Sequence, residues 1–326
     1  MLKVRLMGTK RDMKWFRKTL ERDRRIHVIR ISEPYAIKGS NRYYRMYIEV
    51  ERETKNTHRK RRLKGMCKVI AVANQKGGVG KTAVTSNLGV GIAMNDKKVL
   101  VIDADPQSNL TSSLGIDNAD ELENTLGSFI EREINEKAID PSEYILHNDE
   151  GVDIMPCNIK LAGMDYMIMN ALSREHLLDA FVSQVRDLYD YILIDCSPSL
   201  NLVTINVLTA VDSVIIPVEA SYLSMAGLQQ LLGSIGSTKR KLNRKLEVEG
   251  IVINKVNTRT NHEKDIIEKL REAYGSQIKV FDVMIPESVR AKECTAYGIS
   301  IYKHDPKGKV AKAFEELTRE VLAYGC

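Results

Sequence analysis

One stretch of this chain limits its fold more than any other: Val69-Ile70-Ala71-Val72-Ala73-Asn74-Gln75-Lys76-Gly77-Gly78-Val79-Gly80-Lys81-Thr82. The apolar run reads as a buried strand, the glycines as a tight loop, and the residues from Lys81 on as the start of a helix. Glycines let backbone N–H groups turn inward around phosphate oxygens with no Cβ in the way. The positive end of the helix falls at the same place. Lys81 would then reach the β and γ phosphates of a nucleotide, and Thr82 would offer its hydroxyl to Mg²⁺. Gly77, Gly78, Val79, Gly80 and Ala83 would line the cradle. The generic GxxxxGK[ST] pattern wants glycine at position 75, where this chain has Gln75, and an extra lysine, Lys76, opens the loop.

From Cys67 on, short apolar runs alternate with helical patterns: VIAVAN, VLVID, VDIMP, YILID, SVIIPV, EGIVIN and KVFDVMI. Continuous β-branched runs of this kind read as strands buried on both faces, hence a parallel sheet covered by helices. Helices are expected near 81–95, 158–170, 173–187, 200–210, 223–243, 261–274 and 308–323. Residues 67–326 are therefore expected to form an α/β domain, a doubly wound, mostly parallel sheet with helices on both faces, of the P-loop NTPase class.

The residues before it differ in charge. Residues 1–65 hold 21 Lys or Arg against 7 Asp or Glu, a net of +14, while the rest hold 28 against 36, a net of −8. A basic module on an acidic body suggests a polyanion partner, although a solvated surface has the same composition. LKVRLM at 2–7, His27–Ile31 and Tyr43–Val50 alternate as strands with one wet face. Asp12–Leu20 reads as a short amphipathic helix with Met13, Trp15, Phe16 and Leu20 toward a core, and Lys38–Asn41 as a turn. Residues 1–52 are expected to be a small basic α+β module of β-α-β-β order. Residues 53–66, ending in HRKRRLK, read as a basic linker or arm.

Five scattered cysteines without a CxxC pair suggest reduced thiols in a cytoplasmic protein. No stretch of about 18 apolar residues suits a membrane span.

Three further motifs follow the loop in order: VLVIDADPQSNLTSSLG at 99–115, YILIDCSPS at 191–199 and IVINK at 251–255. With KGGVGKT they make residues 67–324 resemble the ParA/MinD family of deviant Walker A ATPases, most of all its ParA/Soj partition branch. That resemblance implies ATP and Mg²⁺ as cofactors. It implies that Lys76 crosses a dimer interface to the partner's nucleotide, that Asp105 positions the attacking water, and that Asp103 supports the metal region. Asp195 would hold Mg²⁺ through water as the Walker B aspartate. Ser197 stands where the family usually has a proline. Cys196 reads as a packed thiol. Asn254 and Pro286, the latter in IPESVR, would frame the adenine.

The resemblance also implies an ATP-dependent homodimer that binds DNA nonspecifically and is released when a ParB-like adaptor stimulates hydrolysis, in a cytoplasmic, nucleoid-associated protein. Lys239, Arg240, Lys241, Arg244, Lys245 and Arg290 are the expected DNA contacts, although helix C-termini favour basic residues for their own reasons. A MinD-like, membrane-associated ATPase is the alternative. It would need an amphipathic C-terminal helix, and the stripe Val310, Phe314, Leu317, Val321 has glutamates beside it. A P-loop tyrosine kinase would end in a tyrosine cluster, and a nitrogenase-type reductase would need bridging cysteines. This chain ends AYGC and its cysteines are scattered. No membrane contact is expected.

Overall fold

A computed structural model of the chain describes residues 2–9, 11–12, 14, 16, 26–32, 35–36, 44–52, 67–219, 222–257 and 261–324. The chain divides into two compact units, Met1–Met66 and Cys67–Cys326.

The first unit is an antiparallel sheet of β1 (Leu2–Gly8), β2 (Ile26–Ile31), β3 (Tyr35–Ala36) and β4 (Tyr44–Arg52). β4 pairs with β1 along one side and with both β2 and β3 along the other. Met46 and Ile48 of β4 are buried. Leu6 and Val4 stand opposite them in register. Thr9 and Asp12 bond reciprocally, Thr9 Oγ1 to Asp12 Oδ2 at 2.7 Å and Asp12 N–H to Thr9 Oγ1 at 3.3 Å. This box opens the helical backbone seen at Arg11, Asp12, Lys14 and Phe16. The expected β-α-β-β order gains a strand, β3, because nine-residue β4 is long enough to pair with two partners in line. Met13, Trp15, Leu20, the turn at 38–41 and the linker 53–66 lie outside the described residues.

The second unit carries an eight-stranded sheet in the order β12-β11-β10-β5-β9-β6-β8-β7. Its strands are β5 (Lys68–Val72), β6 (Val99–Ala104), β7 (Leu146–His147), β8 (Asp153–Met155), β9 (Tyr191–Cys196), β10 (Ser213–Glu219), β11 (Glu247–Val256) and β12 (Val280–Pro286). Every pairing is parallel except that of the short edge strand β7. β6 and β9 are buried at every position, as a sheet covered on both faces requires.

Helices cover both faces. One side carries α1 (Lys81–Ala93), α2 (Asn109–Ser113), α9 (Val289–Tyr297), α10 (Ile301–His304) and α11 (Lys309–Tyr324). Their apolar residues pack with Ile70, Val72, Val101 and Leu193 of the sheet. The other side carries α3 (Leu126–Ile134), α4 (Met164–Met169), α5 (Leu177–Val185), α6 (Leu202–Ala210), α7 (Tyr222–Lys241) and α8 (Asn261–Tyr274), packed with Val69, Ala71, Ile102 and Ile194. The doubly wound, mostly parallel sheet expected from the apolar runs is the fold observed, and all seven runs are strands. α2, α3, α9 and α10 were not expected. For α3 the signal was there, since Leu126, Phe129 and Ile130 recur at helical spacing and are buried. Polar neighbours diluted it.

β9 lies between β5 and β6, although it follows both in sequence. Parallel strands share one C-terminal edge. The order therefore places the end of β9 between the glycine loop after β5 and the carboxylates after β6.

Candidate functional site

The loop Asn74–Gly80 joins β5 to α1. Asn74 anchors it, donating from Nδ2 to the Pro217 carbonyl at 2.6 Å and accepting from Lys76 N–H at 3.0 Å. Gly78 and Gly80 have φ of 77° and 90°, the left-handed region that glycine enters without strain. A Cβ at Gly77 or Gly78 would meet nothing within 4 Å. The space beside those two glycines is thus left open by the protein's own packing. Gly80 is the N-cap of α1, no side chain caps the helix, and its first turn has no acidic residue. The first-turn N–H groups, those of Thr82 and Ala83 among them, lack a helical partner and face the loop mouth. The buried amide nitrogen of Gln75 has no hydrogen-bond partner. An open cradle, an uncapped helix and a buried donor without an acceptor fit a phosphate group.

Three carboxylates and a lysine meet beside the cradle. Asp195 ends β9 fully buried and accepts from Thr82 Oγ1 at 2.7 Å. Burial, and then the Asp103 charge, push its carboxyl up to about 8. Asp103 stands opposite it in register and is raised to about 6, again chiefly by burial. Asp105 is nearly buried, and its Oδ1 accepts from Gln107 N–H at 3.0 Å. Lys81 is buried, and its ammonium donates to the Lys76 carbonyl at 3.4 Å. Burial lowers its pKa, and the charge of Asp195 first, with Asp105, pulls it back up. Excess negative charge held in a low-dielectric pocket is poised for a cation, and Thr82 with Asp195 is the pair that would hold Mg²⁺. Among the described residues no cluster of three or more His, Cys, Asp or Glu side chains suits a metal. A nucleotide-bound Mg²⁺ needs none, because phosphates and waters fill most of its shell.

Asp103 was expected to support the metal region, and its hydrogen bonds reach the loop after β6. Its carboxylate accepts from Thr111 N–H at 2.8 Å, Thr111 Oγ1 at 2.7 Å and Asp105 N–H at 3.1 Å. Those bonds tie the loop after β6 to the start of α2, so Asp103 shapes the loop that carries Asp105. Thr111 was not singled out in sequence, and nothing in its spacing marks it.

Asn254 was expected to frame the adenine. It lies buried near the end of β11, donates from Nδ2 to the Val79 carbonyl at 2.7 Å, and accepts from Lys255 N–H at 3.0 Å. Its amide clasps the glycine loop. A Cβ at Gly80 would collide with it. Pro286 ends β12, three strands from β5, at the same edge.

Lys76 is within 3.0 Å of Glu219 Oε2, and Lys255 within 3.2 Å of Glu219 Oε1. Lys255 also donates to the Gly78 carbonyl. Neither Glu219 nor Lys255 was expected in the site. Cys196 is a buried free thiol, driven far above its usual range by burial and by Asp195, which suits packing and not attack.

Five of the six expected DNA contacts lie together and Arg290 lies apart. α7 runs back against the strands, so Lys239, Arg240, Lys241, Arg244 and Lys245 lie where β11 begins, opposite the glycine loop, all exposed. Arg290 starts α9 just after β12, at the loop's own edge, and lies 3.8 Å from Asp305. It belongs to a different surface.

A family model described as an AAA domain matches residues 67–248. The chain is 39% identical to the sporulation initiation inhibitor protein Soj of Bacillus subtilis over 264 residues, 80% of this chain and all of that protein. It is 36% identical to the chromosome partitioning protein ParA of Myxococcus xanthus, over 78% of this chain and 88% of that one. Among solved structures, a cobyrinic acid a,c-diamide synthase from Mycobacterium smegmatis with bound ATP analogue and magnesium superposes with a TM-score of 0.70. It is 31% identical and is covered over 95% of its length, against 79% of this chain. A Borrelia burgdorferi plasmid partition protein bound to AMPPNP, 24% identical, shares the fold with a TM-score of 0.65, over 79% of this chain and 99% of that one. With 39% identity to Soj over four-fifths of its length, the chain belongs to the ParA/Soj branch of the ParA/MinD family of deviant Walker A ATPases.

Proposed function

We propose that this chain is a magnesium-dependent partition ATPase that works as an ATP-closed homodimer on DNA. The observation that carries the reading is the meeting of Lys81, Thr82, Asp105 and Asp195 around an uncapped helix N-terminus and an open glycine cradle. Backbone N–H groups of the loop and α1 bind the phosphates. Thr82 and Asp195 would hold Mg²⁺, which would supply positive charge to the phosphates. Lys81 moves from the Lys76 carbonyl to the β and γ phosphates. Asp105, held by the turn to Gln107, orients the attacking water, and Lys76 of the second subunit stabilises charge spreading over the phosphates.

Closure brings two such subunits face to face, and the lysines and arginines at the end of α7 then meet DNA phosphates. A ParB-like adaptor on DNA accelerates hydrolysis and opens the dimer, in the cytoplasm on the nucleoid. The membrane reading loses its main support. Val310, Phe314, Leu317 and Val321, the apolar stripe of α11, are buried in the core beside α1 and β12. No helix among the described residues is long and apolar enough to cross a membrane.

The test is phosphate release and DNA retention by the full chain with and without ATP. Lys81→Ala should lower turnover by about 10²- to 10³-fold, the scale seen when one preorganised donor to the transition state is removed. It should also abolish ATP-dependent DNA retention. Turnover at the wild-type rate would refute the site, and DNA retention indifferent to ATP would refute the switch.

A further inference from the structure

Glu219 ends β10, the strand beside β5, and its two oxygens are divided between two lysines of the loop mouth. Oε2 faces Lys76 at 3.0 Å and Oε1 faces Lys255 at 3.2 Å. Lys255 in turn donates to the Gly78 carbonyl, so the pair of lysines is tied to the backbone of the cradle itself. Lys255 holds φ at +55°, a left-handed conformation rare for a side chain that is neither glycine nor asparagine. The backbone at the end of β11 is thus bent out of strand geometry where Lys255 meets both partners. Lys76 and Glu219 are each only partly exposed, which shields their pairing from solvent more than at an open surface.

We propose that Glu219 is a positioning residue for Lys76, holding its ammonium within its own subunit beside Lys255 and yielding it when nucleotide phosphates enter the cradle. This rests on the reading that Lys76 acts across a dimer. A single carboxylate shared by two ammoniums is a weaker competitor than a triphosphate of several negative charges at similar distance. A phosphate at Gly77 and Gly78 also reaches the backbone that Lys255 holds, so arrival of nucleotide and release of Lys76 are linked. The carboxylate holds the cation at the loop mouth of its own subunit, and the nucleotide removes that restraint.

Two measurements test it on the full chain. The first is the ATP concentration for half-maximal dimer formation, by light scattering, in wild type, Glu219→Gln and Glu219→Asp. The second is the rate at which acetic anhydride labels the Lys76 amine in nucleotide-free protein, read by peptide mass spectrometry against other lysines. An ion pair of this exposure restrains its partners by roughly two- to five-fold. Glu219→Gln should therefore label Lys76 two- to five-fold faster and dimerise at two- to five-fold lower ATP, with Glu219→Asp close to wild type. Equal labelling of Lys76 in wild type and Glu219→Gln would overturn the restraint. Weaker dimerisation of Glu219→Gln would also overturn it, by making the carboxylate a partner in the closed dimer. If no variant dimerises with ATP, the dimer reading fails, while the labelling rates still decide whether Glu219 holds Lys76.

Discussion

The two edges of the eight-stranded sheet are built from the same residue types and do opposite things. At the edge where the strands begin, charges are matched. Lys68 Nζ lies 2.6 Å from Glu249 Oε1, and Ser213 Oγ donates to Glu249 Oε2 at 2.6 Å. Arg186 pairs with Asp212 at 2.5 Å, and Asp212 also takes Val69 N–H at 2.8 Å. At the edge where the strands end, Asp105 and Asp195 both act on the Lys81 ammonium, Asp103 stands beside Asp195, and burial pushes the carboxyls of Asp103 and Asp195 up. A buried charge that is matched serves the fold. One left unmatched costs stability, and it persists where a ligand is to supply the balance.

The largest effect should come from balancing the strand-end charges by mutation. Asp195→Asn keeps the Thr82 contact and removes the charge, so Mg²⁺-dependent hydrolysis should fall about 100-fold or more. Stability of the nucleotide-free protein should move the other way. A folded pKa of about 8 lies above the usual carboxylate value of 3.8, so the folded chain binds a proton that the unfolded chain has lost. That contribution is full below pH ~4 and is lost as pH rises toward 8. Wild-type Tm, measured by scanning calorimetry without Mg²⁺, should decline between about pH 4 and about pH 8, and Asp195→Asn should flatten the decline. A flat wild-type profile would break the contrast between the edges.

Next in size is the matched edge. Lys68→Ala leaves the nearly buried Glu249 with only Ser213, which should cost about 1–3 kcal/mol in urea unfolding with turnover per folded molecule unchanged. Loss of activity without loss of stability would mean that this edge is not merely structural. Gly80→Ala forces a Cβ into a left-handed backbone and toward Asn254, at about 1–2 kcal/mol, and should also weaken ATP binding measured by calorimetry. Smallest in stability is the surface at the end of α7. Lys239→Ala with Arg240→Ala and Lys241→Ala should change unfolding by less than about 0.5 kcal/mol. The slope of log affinity for DNA against log salt should flatten by roughly 0.9 for each DNA phosphate that no longer meets a cation. An unchanged slope would move DNA binding elsewhere, with Arg290 and the basic first unit the next surfaces to vary.

Local signals carried much of this protein. The seven apolar runs were legible as strands because strands buried on both faces need unbroken apolar stretches. The loop was legible because left-handed backbone and an open cradle at Gly78 and Gly80 demand glycine at fixed spacing from Lys81 and Thr82. Asp105 and Asp195 were legible as strand ends. Thr111, Glu219 and Lys255 were not, since an isolated threonine, glutamate or lysine has no periodicity and takes its meaning from what it faces. Asn254 was visible as a residue, but its bond to Val79 was not, because that partner lies 175 positions away.

The sequence by itself thus determined the fold class, the phosphate loop and the carboxylates at the strand ends, all properties of short segments. Only the tertiary structure decided which strand ends are neighbours. Inserting β9 between β5 and β6 places Asp195 beside Thr82 and opposite Asp103, and raises both carboxyls by burying them together. It also decided that the lysines and arginines closing α7 face away from the nucleotide edge while Arg290 does not. The reason is geometric: a helix crossing back over a parallel sheet must end at the opposite edge from the one where it began, however close its residues lie in sequence.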